Sequence, residues 1–154
     1  MYQKIISLKP APISVSLEKR EISMDREMEV LKKYVPKNLD ECLQILDQMM
    51  LDKNELLNVT EDEFIGMSHH GLGQRLRNEW GLWEKKNKLT SYFNQLGVNE
   101  ADDMSGMILR SFHRKMNGKH IDVLGQVKKC QEYWKNVQKN GDPTFMIFRS
   151  DTVA

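Results

Sequence analysis

Apolar residues recur every three or four positions through most of this chain, the spacing that keeps them on one face of a helix. Met24, Met28, Leu31 and Val35 are spaced 4, 3 and 4, which predicts a first helix from about residue 21, stopped by Pro36. Asn38 stands three residues before Glu41, as in a capping box, and Leu39, Cys42, Leu43, Leu46, Met49 and Met50 give a second helix a broad inward face. Thr60 and Glu63 repeat that signal ahead of a short helix through Phe64, Ile65 and Met67. Leu72, Leu76, Trp80 and Trp83, spaced 4, 4 and 3, predict helix through the next segment in spite of its glycines. Asn87 is placed to cap a helix that turns Leu89, Tyr92, Phe93 and Leu96 inward, with Gly97 as its stop. Asn99 to Asn117 then reads as a long helix with Met104, Ile108, Phe112 and Met116 on one stripe. Asp122 caps a last helix striped by Val123, Val127, Cys130, Trp134 and Val137, and Gly141-Asp142-Pro143 ends it.

The period changes at both ends. Pro10 and Pro12 exclude helix near the N-terminus, and Ile13, Val15 and Leu17 alternate with period two, the strand signal. This short segment would pair with the run Thr144-Phe145-Met146-Ile147-Phe148 or with another copy of the chain. The fold class expected is therefore all-α in the main. It is a compact bundle of six or seven short helices, with a small strand pairing from the two termini as an addition. An N-terminal extension over 1–20, a helical domain over 21–140 and a tail over 141–154 follow from the same pattern.

Composition narrows the function classes. A chain of 154 residues buries about 70% of its unfolded surface in one domain and needs no staples. Its 23 basic and 22 acidic residues nearly cancel, which disfavours nucleic acid held by phosphate neutralisation. Both cysteines, Cys42 and Cys130, fall on apolar stripes, so they are expected to be reduced and buried, and a cytoplasmic location follows. No apolar run reaches the ~18 residues of a membrane span, and the N-terminal segment lacks the apolar core of a secretory signal.

One stretch concentrates costly residues. Ser68 to Trp83 holds two of the three tryptophans, the adjacent His69 and His70, and the arginines Arg75 and Arg77. Together with the following blocks it resembles a family. Gly71-Leu72-Gly73, Arg77-Asn78-Glu79-Trp80-Gly81-Leu82-Trp83, Tyr92-Phe93, Leu96-Gly97, the run Asp102 to Leu109, and His113-Arg114-Lys115-Met116-Asn117-Gly118 follow one another in a fixed order. That order is similar to the DUF6794 domain of bacterial and phage-related proteins, over roughly residues 36–134. The resemblance implies a fold and a phage-related setting, with a bacterial host cell as the location, but no reaction.

Candidate chemistry is sparse. Arg75, Arg77 and Asn78 beside Trp80 and Trp83 suggest a carboxylate or anion site, and the alternative is an internal ion pair from Arg77 to Asp102 or Asp103. Asp102 and Asp103 suit a general acid/base pair or, more simply, the first turn of a helix. His113 and Arg114 complete the candidate binding set. Adjacent histidines point to different sides of a helix, so His69 and His70 make no metal pair, and no metal or cofactor is expected. The leading expectation is a non-catalytic helical module that binds a protein partner, as a phage-encoded accessory factor modulating a host protein. The competing expectation is an enzyme acting on a phosphorylated or nucleic-acid substrate. It requires Arg77, Asn78, His113 and Arg114 to converge on an open pocket, with Asp102 or Asp103 as base. No catalytic residue is assigned outright, and a homo-oligomer formed through the N-terminal extension is left open.

Overall fold

Capping side chains open four of the helices among the described residues. The computed structural model describes residues 25–50, 53–84 and 86–141. Residues 25–33 are helical (α1). They are followed by α2 (Leu39–Met49), α3 (Asn54–Leu57), α4 (Glu61–Ser68), a π-helical turn (His69–Gly73), α5 (Gln74–Glu79), α6 (Lys88–Leu96), α7 (Ala101–Met116) and α8 (Val123–Asn140). Among the described residues there is no strand, so this part of the chain is all-α. The segments expected to pair as strands lie outside the described residues.

Asn38 caps α2 by accepting from the Glu41 amide at 2.9 Å. The Glu41 carboxylate reaches past the cap to the Lys37 amide at 2.8 Å. Thr60 and Glu63 form the full reciprocal box at α4. Asn87 caps α6, which ends where Gly97 turns left-handed. Each satisfied cap is worth about 1 kcal/mol, so these four signals do much to fix the chain's path.

The long helix α7 is the hub. It packs against α2, α3, α4, the π-turn, α5 and α8. Met104, Met107, Ile108, Leu109 and Phe112 are buried along it. They meet Leu39, Leu43 and Leu46 of α2, Phe64 of α4, Leu76 of α5, Trp80, and Leu89 and Phe93 of α6 in one cluster. Full burial of such a side chain contributes about 1.5–3 kcal/mol.

Four expectations need correction. Val35 is exposed and follows the end of α1, because the residue before a proline is disfavoured in helical geometry. Met67 is exposed on α4. The helix expected through Trp83 stops at Glu79, since Gly81 adopts φ +60° and reverses the chain. Trp83 therefore lies on a turn, with 59% of its surface exposed. The stripe of α8 is only partly covered: Val127 is buried on it, Val123 and Cys130 pack half-buried against the core, and Trp134 is 39% exposed. Cys42 is fully buried, and both cysteines are free thiols.

Candidate functional site

Arg77 is 4% exposed, so its guanidinium charge sits inside the domain. A buried charge persists only when its donors find partners. Its Nη1 donates to Ser105 Oγ at 2.9 Å and its Nη2 to the His69 carbonyl at 3.0 Å. Nε lies 3.2 Å from Asp102 Oδ1 but is not aimed for a hydrogen bond. The structure thus contains the expected tie between the tryptophan-bearing stretch and the first turn of α7. Ser105 continues it by donating to the Asp102 carbonyl at 3.0 Å. Gly73 makes room: a Cβ there would stand 3.1 Å from the Ser68 carbonyl and 3.2 Å from Arg77 Nη1.

Around this centre the other candidates separate. Asn78 is exposed, and its side-chain oxygen accepts from Trp83 Nε1 at 3.1 Å. The Arg77 guanidinium carbon lies 5.8 Å from the centre of the Trp83 ring, within cation–π range. Trp80 is fully buried, and its indole N–H has no acceptor among the described residues. Arg75 pairs with Glu27 of α1 at 3.6 Å.

Asp102 and Asp103 diverge. Asp102 faces Arg77, with 60% of its side chain exposed. Asp103 accepts from Trp134 Nε1 of α8 at 2.7 Å. Burial pushes the Asp103 carboxyl above its usual range; the indole N–H opposes that shift, and the neighbouring Asp102 charge adds to it. Two carboxylates aimed at different helices do not form the acid/base pair considered above.

His113 is buried, stacked on Phe64 with ring centres 5.4 Å apart, and its Nε2 lies 2.9 Å from the Val59 carbonyl. A carbonyl only accepts, so Nε2 carries the hydrogen. From Ser105, which holds Arg77, His113 is about two turns away, roughly 12 Å of helical rise. Arg77 and His113 therefore do not converge on an open pocket. Arg114 is also spoken for, because its Nε donates to Glu61 Oε2 at 3.0 Å and Arg110 Nη1 donates to Glu61 Oε1 at 2.7 Å. Burial alone would raise the Glu61 carboxyl, but hydrogen bonds from Arg114 and Arg110, reinforced by their charges, hold it below the usual range.

That Arg110–Glu61–Arg114 lock between α4 and α7 was missed from the sequence, where only Thr60 and Glu63 stand out at the start of α4. A signal was present. Two arginines four apart on one helix face repel each other unless a carboxylate stands between them. Among the described residues no three His, Cys, Asp or Glu side chains group to hold a metal ion, and no helix is long and apolar enough to cross a membrane.

Beside Trp83 a cleft of about 330 Å³ opens between the turn after α5, α6 and the start of α7. Leu82, Thr90 and Met104 line its floor, with the carboxylates of Glu84 and Glu100 at its rim.

A family model described as a domain of unknown function, DUF6794, matches residues 35–116. No curated protein and no solved structure matches the chain.

Proposed function

The chain belongs to the DUF6794 family, and from that premise we propose that it is a non-catalytic helical module that binds a protein partner through the surface around Trp83. The observation that carries this reading is the way Trp83 is presented. A large indole is left mostly in solvent, yet Asn78 holds its N–H and the Arg77 guanidinium stands over its ring. An aromatic side chain fixed before binding loses little rotamer freedom when a partner covers it, and tryptophan is enriched among the residues that dominate interface energies. The adjoining cleft sets Glu84 and Glu100 beside Leu82 and Met104, which suits a lysine or arginine whose apolar stem lies along them.

The reading also accounts for the candidate residues that do not meet. Arg77, His113 and Arg114 spend their hydrogen bonds holding helices together, which leaves the surface to do the recognising. A phage-encoded factor that modulates a host protein is the setting the family resemblance suggests, and bacterial cells are accordingly where the test belongs.

p-Benzoylphenylalanine incorporated in place of the exposed Asn94, which lines the cleft beside Trp83, and separately in place of the exposed Lys119, tests the reading by photo-crosslinking in living bacteria. The expected result is a discrete adduct at position 94 that Trp83→Ala abolishes, and none at 119. Absence of an adduct at 94, an adduct that survives Trp83→Ala, or equal diffuse labelling at both positions contradicts it.

A further inference from the structure

The matched family region ends at residue 116, where α7 also ends, so α8 lies outside the matched stretch. Its seat on that stretch is unlike the packing elsewhere. Over the 18 residues of α8 only Gln126 and Val127 are buried. Two side-chain hydrogen bonds cross to α7: Gln126 Nε2 to Ser111 Oγ at 3.1 Å, and Trp134 Nε1 to Asp103 Oδ2 at 2.7 Å. Burying Gln126 leaves its Oε1 without a partner among the described residues, which opposes docking. Two gaps of about 480 and 310 Å³ remain where α8 meets α7 and the α6–α7 link, lined among others by Asp103, Cys130 and Trp134 in the first and Met107, Arg110 and Tyr133 in the second.

The connection is built so that each helix closes its own ends. Asn117 donates its side-chain amide to the His113 carbonyl at the end of α7. Asp122 accepts from the Gly125 amide at 3.1 Å and so caps α8 from within the link. Gly118 and Asp122 both take positive φ, +65° and +51°, and left-handed geometry at Asp122 is uncommon for a residue with a side chain. Separating α8 from α7 thus costs neither helix the cap it has at this link.

We infer that α8 is a hinged cover: it lifts from α7 as a unit about residues 117–122 while the helices packed around α7 stay folded. Lifting uncovers a strip of α7 that carries Asp103, Met107, Arg110 and Ser111. The inference does not rest on the binding role assigned to Trp83, since the Trp83 cleft and the first gap share only Asn99 and Glu100 of the link before α7.

The chain's two cysteines make the test possible in the intact protein. Cys130 sits on α8 and Cys42 in the core of α2. Labelling by a disulfide reagent is followed at each thiol and divided by the rate of the same thiol in the urea-unfolded chain. The cover predicts Cys130 labelling roughly a hundredfold faster than that of Cys42, since sub-global opening is cheaper than global unfolding. It also predicts that Val127→Ala speeds Cys130 labelling about tenfold, because that side chain seats α8. Two results overturn it. Equal protection of both thiols means one cooperative unit, and a Cys130 rate unchanged by Val127→Ala means direct access without opening. Should Val127→Ala fail to fold, Trp134→Phe decides on the same two criteria, as it keeps an aromatic side chain while removing the hydrogen bond to Asp103 and part of the indole's contact.

Discussion

Helices α7 and α8 are both long, both amphipathic and both striped with apolar residues at helical spacing, yet α7 is buried along most of its length and α8 hardly at all. The difference lies in what stands opposite each stripe. α7 is met from several sides by α2, α4, α5 and the π-turn, so Met104, Ile108 and Phe112 each find a complementary surface. α8 meets one flank of α7 at Ser111 and Asp103, with gaps on either side, and its Leu124 stays 78% exposed. A stripe is thus a necessary condition for burial; an opposing surface supplies the energy.

The same contrast orders the consequences of mutation. Phe112→Ala should have the largest effect, about 3–5 kcal/mol, because it opens a cavity at the hub. Chemical denaturation checks it, and a loss below about 1 kcal/mol would remove α7 from the centre of the account. Arg77→Ala comes next, at roughly 2–4 kcal/mol from lost packing and two lost charge-assisted hydrogen bonds. Because Asp102 is largely exposed, the cost falls on the arginine's own contacts and not on a stranded partner charge. Arg77→Lys should recover only part of it, since one ammonium cannot reach Ser105, the His69 carbonyl and Asp102 together. Thermal melts of the two variants side by side would show this, and full recovery by lysine would disprove the fork's role.

A smaller effect belongs to the α4–α7 lock. Glu61 has a lowered pKa in the fold, so its stabilising contribution is present above the ordinary glutamate value near 4.5 and fades as pH falls through the lower folded value. Glu61→Gln should flatten that acid limb of the stability profile and cost stability at neutral pH; an unchanged limb would show that the lock carries no linkage. Smallest of all, Leu124→Ala should stay within about 0.5 kcal/mol of the parent in a denaturant titration, and a larger loss would mean α8 is seated more firmly than described.

How much of this was legible in the sequence depends on the range of each cause. Caps at Asn38, Thr60, Asn87 and Asp122 act within three residues, and every one could be read. The Arg77–Asp102 tie was readable because two blocks rich in complementary groups stand on either side of a single returning helix, α6. Arg110–Glu61–Arg114 joins residues about fifty positions apart: two arginines one turn apart call for a carboxylate, but no local pattern says which one. The exposure of Trp83 turned on a single left-handed glycine, Gly81, which a count of helical spacing passes over. For α8 the misreading was of another kind: periodicity describes a helix's own face and is silent about what faces it.

Native-state hydrogen exchange tests the central contrast most directly. The account predicts that the amides of residues 105–113 in α7 exchange only through global unfolding, whereas those of residues 126–138 in α8 exchange at least tenfold faster, with a weaker dependence on added denaturant. Equal protection of the two helices, with the same denaturant dependence, would contradict it and make α8 an integral part of the core.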